Sequence, residues 1–136
     1  MTFNDILHKF RSESFTQKDK GTQFERLMRS WLLSDPRYSN LTKVWLWDDF
    51  PSRADLGGKD TGIDLVARTE EGDYWAIQCK CYKEDSVIDK PAVDSFLATS
   101  SRQFKDPETL QTTSFAKRMW ISTTNHWGKN AEDAIQ

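Results

Sequence analysis

The residues of this chain best suited to chemistry are Asp64, Gln78 and Lys80, with thirteen residues separating the acid from the Gln78-Cys79-Lys80 triplet. Asp64 is the only charged residue in the apolar run Gly62-Ile63-Asp64-Leu65-Val66-Ala67. Glu70-Glu71-Gly72-Asp73 has turn composition, and Tyr74 to Tyr82 reads as the returning strand of a hairpin. Alternation along that strand puts Gln78 and Lys80 on one face, with Trp75, Ile77, Cys79 and Cys81 on the other. If the hairpin turns within residues 70–73, Asp64 falls opposite or diagonal to Gln78 and Lys80, at roughly 4.5–8 Å. An acid, an amide and an amine then converge.

Such a set suits hydrolysis of a phosphodiester. The reaction needs a cation to offset charge building on the phosphate oxygens, and a nucleophile made from water. Mg²⁺ takes one or two carboxylates and keeps several waters. Asp64 is the anchoring carboxylate in this reading. Gln78 offers a neutral carbonyl oxygen, and the backbone carbonyl of Cys79 is a further ligand. Lys80 orients the attacking water or stabilises the developing charge. Glu25, beside Phe24 on the border of an apolar helical stripe, is a fourth candidate.

The elements that must position these residues follow from periodicity. Residues 4–11 suggest a short leading helix. Residues 20–34 form a firmer one, with Phe24, Leu27, Met28, Trp31 and Leu32 spaced for a buried stripe, stopped by Asp35-Pro36. Val44 to Trp47 reads as a strand, Phe50 to Gly62 as a loop, and residues 62–82 as the hairpin. Pro91 opens a helix through Ser100-Ser101, residues 105–114 read as loop, and Met119 to Ser122 as a strand. A last helix begins near Lys129 and shows no stop signal by Gln136, which suggests a longer natural polypeptide. The sum is an α/β fold with a central mixed sheet flanked by helices.

Composition narrows the class. A chain of 136 residues with 37% hydrophobic and 29% charged residues suits one globular domain. No apolar run approaches the roughly 20 residues that span a bilayer, and no signal-peptide layout opens the chain. Two cysteines make no disulfide framework, so a reducing, cytoplasmic setting is expected. A net charge of −2 argues against a protein that coats nucleic acid non-specifically.

Plainer readings compete at each residue. Alone, Asp64 would be a strand-end acid beside a glycine loop, and Lys80 a solvated lysine. Joined with Gln78 in one hairpin, they favour chemistry. Glu25 would ordinarily be helix surface. Cys79 and Cys81 lack enough partners for zinc, with only His8 and His126 available, so core thiols are expected. Trp45 and Trp47 read as sheet-packing residues rather than base-stacking platforms. His126 reads as a loop residue. Leu56-Gly57-Gly58-Lys59 is no phosphate loop, because a strand follows it where a helix N-terminus is required. Lys83, Lys90, Arg102 and Lys105 read as a solvated face before a DNA groove.

Several segments together resemble the Mrr-like branch of the PD-(D/E)xK restriction-endonuclease superfamily. They are Gly21-x-x-Phe24-Glu25, Asp60 to Ala67, Gln78 to Tyr82, Val87-Ile88 ahead of the Pro91 helix with Ala92 to Phe96, and Ile121-Ser122-Thr123-Thr124. The resemblance runs from about residue 20 to the end and is nearest to nuclease modules of single-polypeptide, Type ISP-like or other helicase-fused enzymes. It implies a restriction-endonuclease-like core over residues 19–136 behind a helical extension over 1–18, within a single domain of 1–136. It implies a DNA endonuclease that uses Mg²⁺, with Mn²⁺ substituting, and carries Glu25, Asp64, Gln78 and Lys80 over as its active site. Gln78 stands where the wider superfamily has Asp or Glu, which removes one negative charge from the site.

Implied partners are double-stranded DNA, a helicase-like motor with methyltransferase and target-recognition domains, and a second nuclease copy for double-strand cleavage. Lys59, Lys83, Lys90, Arg102, Thr123 and Thr124 are the candidate DNA contacts. A catalytically silent nucleic-acid-binding module with the same fold is the alternative, and completeness of the four-residue set argues against it.

Overall fold

A computed structural model of the chain describes residues 17–57, 62–80 and 90–122, with the side chains of 17–20 excepted. The leading helix at 4–11, the last helix from Lys129, Cys81, and the candidate DNA contacts Lys59, Lys83, Thr123 and Thr124 lie outside the described residues.

The first element is a helix, α1, over Gln17–Ser34, three residues earlier in its start than periodicity suggests. Its apolar stripe buries Phe24, Met28, Trp31 and Leu32, as helical spacing dictates. Asp35 ends it: the Asp35 carboxylate accepts the Arg37 N–H at 2.9 Å and caps a short 3₁₀ turn over Pro36–Tyr38. Five strands follow: β1 over Leu41–Leu46, β2 over Leu65–Thr69, β3 over Tyr74–Lys80, β4 over Gln103–Lys105 and β5 over Thr112–Ser122. Helix α2, over Lys90–Ser100, precedes β4.

The sheet order is β1-β2-β3-β5-β4, antiparallel except for the parallel pair β3 and β5. One face carries Val44, Leu65, Ala67, Trp75, Ile77 and Ile121 under α1. The other carries Val66, Tyr74, Ala76, Phe104 and Phe115 with Phe96 of α2. The Arg29 Nε–H bonds the Val44 carbonyl at 2.7 Å, tying α1 to the edge strand β1.

The β2–β3 hairpin turns where its composition says it should. Gly72 takes φ +87°, its N–H donates to the Thr69 carbonyl at 3.0 Å, and the Thr69 N–H donates to the Asp73 carbonyl at 2.8 Å. Alternation along β3 holds as expected, with Trp75, Ile77 and Cys79 in the α1-side cluster and Tyr74 and Ala76 in the α2-side cluster.

Two expectations need correction. Residues 105–114 are not all loop: Lys105 ends β4 and Thr112 opens β5, so they span a hairpin that pairs Gln103 with Ser114 and Lys105 with Thr112. Phe104 and Phe115 are the buried apolar side chains there, and such an edge is held by backbone pairing rather than an apolar run. Trp47 is not in a strand either; the chain leaves β1 at Leu46 and turns through a 3₁₀ segment over Trp47–Asp49.

The far end of the sheet is locked by a buried phenol. The Tyr74 hydroxyl donates to Asp106 Oδ1 at 2.9 Å, and the same oxygen accepts the Glu108 N–H at 2.8 Å. Behind it Phe104 meets the Tyr74 ring edge to face and Phe115 at a tilt, with ring centroids 5.3 and 4.7 Å apart.

Candidate active site

Asp64 sits where β2 parts from its neighbours, and its backbone is irregular there. In a regular strand, the N–H and C=O of one residue point to the same neighbour. Here the Asp64 N–H donates to the Ile77 carbonyl of β3 at 2.9 Å, while its C=O accepts the Trp47 N–H from the β1 side at 2.9 Å. Leu65 already pairs with Ile77, so two residues of one strand oppose one of the other, as in a β-bulge.

The bulge takes the Asp64 side chain out of alternation. Its carboxylate turns into the fork between the strands and accepts the Cys79 N–H at 2.8 Å. Asp64 therefore does not share the Gln78 and Lys80 face as simple strand geometry predicts; it turns toward α1.

Gly62 makes this entry possible. It holds φ +79°, and a Cβ there would lie 3.1 Å from the Phe96 nitrogen and 3.2 Å from Ser95 Oγ of α2. Only glycine meets both demands without strain.

Glu25 meets Asp64 from the helix side. It lies one turn before Met28 and two before Leu32 on the buried stripe, so the packing of α1 aims it at the sheet. Its carboxyl is pushed up from 4.5 to about 8, first by burial, then by its hydrogen bond with Asp64 and by the charges of Asp64 and Asp48. Asp64 is also raised by burial, while the Glu25 hydrogen bond, the Cys79 N–H and the Lys80 charge pull it back. Both partners shift upward, so the pair holds a proton at neutral pH, with Glu25 donating and Asp64 accepting.

Lys80, half-buried at the end of β3, sends its charge to both carboxyls and lowers each. Gln78 is 2% exposed and, by alternation, lies on the α2 face beside Trp120 of β5. Its Oε1 has no hydrogen-bond partner among the described residues. Cys79 is buried, and burial followed by the Asp64 and Glu25 charges holds its thiol well above the ordinary range, which marks it as a core thiol. The Cys79 N–H faces β2, so its carbonyl faces the same fork.

A cleft of about 430 Å³ opens over the acid pair, lined by Thr22, Glu25 and Arg26 of α1, by Leu46 to Asp49, and by Gly62 to Asp64. Asp48 and Asp49 are the acidic lining residues that sequence reasoning missed. Their only sequence signal is an acidic pair directly after an apolar strand. Of the described DNA-contact candidates, Lys90 is paired with Asp94 one helical turn on, and Arg102 is exposed in the turn after α2. Neither lines the cleft.

The donor set suits a hard divalent cation. Two carboxylates that must share a proton to coexist also form a place for positive charge. The Cys79 carbonyl, in the same fork as the Asp64 carboxylate, is a neutral oxygen of the kind Mg²⁺ accepts, whereas Gln78, on the α2 face by alternation, does not meet Asp64 as the simple hairpin geometry predicts. Among the described residues, no three His, Cys, Asp or Glu side chains cluster as a ready metal cage.

The sheet order and the flanking helices define a restriction-endonuclease-like α/β fold. The chain belongs to the restriction endonuclease family Mrr_cat_2, which it matches over residues 33–136. Asp64, Gln78 and Lys80 lie inside that stretch and Glu25 lies before it. Among solved structures, it is similar to the ATP-dependent Type ISP restriction-modification enzyme LlaBIII bound to DNA, at 26% identity and a TM-score of 0.63. That similarity covers 99% of this chain and 7% of the enzyme, so the chain spans a small part of the length of the protein it resembles. No curated protein matches the sequence. Among the described residues, no helix is long and apolar enough to cross a membrane.

Proposed function

We propose that the chain is a divalent-metal-dependent DNA endonuclease module that hydrolyses phosphodiester bonds by direct attack of water. The observation that carries this reading is the half-buried Glu25–Asp64 pair within reach of the Lys80 charge, at the strand fork of a restriction-endonuclease-like sheet. Asp64 and the Cys79 carbonyl are the groups that would hold Mg²⁺ or Mn²⁺. The bound cation would neutralise charge on the phosphate oxygens and acidify a water.

The protein's own contributions are positional and electrostatic. The Cys79 N–H fixes the Asp64 carboxylate in the fork. Glu25 keeps that carboxylate company with a proton until the site is loaded. Lys80 orients the attacking water and offsets charge that develops in the transition state.

DNA grip must come from beyond the cleft. Among the described residues, four acidic side chains line the cleft, Glu25, Asp48, Asp49 and Asp64, against the cation Arg26, and the whole chain carries −2. Non-specific affinity comes mainly from counterion release by Lys and Arg. The module is therefore suited to a longer restriction enzyme, in which motor and target-recognition domains hold the duplex and a second nuclease copy cuts the other strand. Tethering raises the local concentration of DNA for such a weak binder.

Lys80→Ala separates chemistry from binding. Cleavage in Mn²⁺ should fall by about 10²–10³, while duplex affinity, measured by fluorescence anisotropy in Ca²⁺, stays within about twofold of native. Lys80→Arg should not restore the rate, because a guanidinium differs in shape and does not give up a proton. Normal cleavage by Lys80→Ala would remove the proposed mechanism. Loss of duplex binding in parallel with cleavage would favour a binding module instead.

A further inference from the structure

We propose that Asp48 is an additional residue of the cation site, holding the cation through its retained water rather than by direct contact. This rests on the cation-dependent reading given above.

The placement of Asp48 is fixed by its neighbour. Trp47 is buried, its N–H is bonded to the Asp64 carbonyl at 2.9 Å, and its own carbonyl accepts the Phe50 N–H at 3.1 Å. The backbone that carries Asp48 is thus tied to the backbone that carries Asp64. Asp48 is exposed, lines the same cleft as Glu25 and Asp64, and its charge is felt at Glu25. It does not join them in a cluster tight enough to ligate one ion directly, since no such group of three exists among the described residues.

A carboxylate that lines the cleft without joining the Glu25–Asp64 pair is placed to act on water that the ion retains. Mg²⁺ surrenders its waters reluctantly, and the waters it keeps are acidified donors that need acceptors. A carboxylate across the cleft provides one. At roughly 5–7 Å in a water-like medium, its attraction for a doubly charged ion is worth about five- to tenfold in affinity. Screening should erase most of that at high salt. With Gln78 contributing no charge, a water-mediated acid partly compensates for the missing second carboxylate on β3.

The test is Mn²⁺ binding to the 136-residue chain without DNA, read from the electron paramagnetic resonance of free Mn²⁺ at low and high salt. Asp48→Asn should weaken binding about five- to tenfold at low salt and about twofold at roughly 0.5 M salt. Asp48→Glu, which keeps the charge, should stay within about twofold of native. Glu71→Gln, in the hairpin turn at the opposite end of β2, makes the same change in net charge and should leave binding unchanged.

An Asp48→Asn protein that binds as tightly as Glu71→Gln would overturn the inference, as would a loss of affinity that salt does not diminish. Asp64→Ala distinguishes this failure from that of the parent reading. If Asp64→Ala loses Mn²⁺ while Asp48→Asn does not, only the role of Asp48 falls. If native protein and Asp64→Ala bind alike, or neither binds, the cation reading falls and takes this inference with it.

Discussion

Replacing Glu25 with glutamine should flatten a decline in stability that the native protein shows as pH rises. The Glu25 carboxyl is raised from 4.5 to about 8, so between those values the folded state holds a proton that the unfolded chain has released. Stability linked to that proton is present in full below about pH 4.5 and is lost as the pH rises through about 8. Asp64 is raised as well and acts in the same direction. Fully expressed, a shift of that size would correspond to roughly 5 kcal/mol. Solvent screening at a partly exposed carboxyl reduces the expected effect to about 1–2 kcal/mol.

The glutamine amide in the Glu25→Gln protein would keep an N–H donor for the Asp64 carboxylate without needing a proton. Urea denaturation of both proteins at pH 5, 7 and 9 should give native stability falling by about 1–2 kcal/mol across the series, with less than half that fall in Glu25→Gln. The variant should be the more stable protein at pH 9. Parallel pH profiles for the two proteins would refute the shared-proton description of the site.

Gly62→Ala should destabilise the fold by roughly 1–3 kcal/mol, read as a lower Tm, because the residue must hold positive φ against α2. An unchanged Tm would show that the approach to Asp64 is not constrained as described. Tyr74→Phe should cost about 1–2 kcal/mol in urea denaturation by removing the hydroxyl that serves buried Asp106, while cleavage at permissive temperature stays at the native rate. A selective loss of cleavage there would tie the far end of the sheet to the chemistry.

The hairpin and its acid–amide–lysine spacing were legible because turn residues and strand alternation are local signals. Alternation assigned Trp75, Ile77 and Cys79 to one face of β3, and the packing agrees. What sequence could not supply was the bulge. It depends on two hydrogen bonds from Asp64 to different neighbours, and no residue type announces that. Strand β4 was illegible for another reason: Gln103 and Lys105 are exposed, so only Phe104 carries a burial signal. Asp48 looks like any solvated acid until the Trp47–Asp64 backbone bond brings its turn to the cleft. Glu25 was readable as a stripe-border residue, but its meeting with Asp64 is tertiary.

Cleavage depends most directly on Asp64. Supercoiled plasmid incubated with the purified chain in molar excess and Mn²⁺ should be nicked slowly by native protein. Asp64→Ala should reduce that nicking by at least about 10²-fold, and excess EDTA should abolish it. Equal cutting by native and Asp64→Ala proteins, cutting that persists in EDTA, or a plasmid left intact by native protein would contradict metal-dependent hydrolysis at this site.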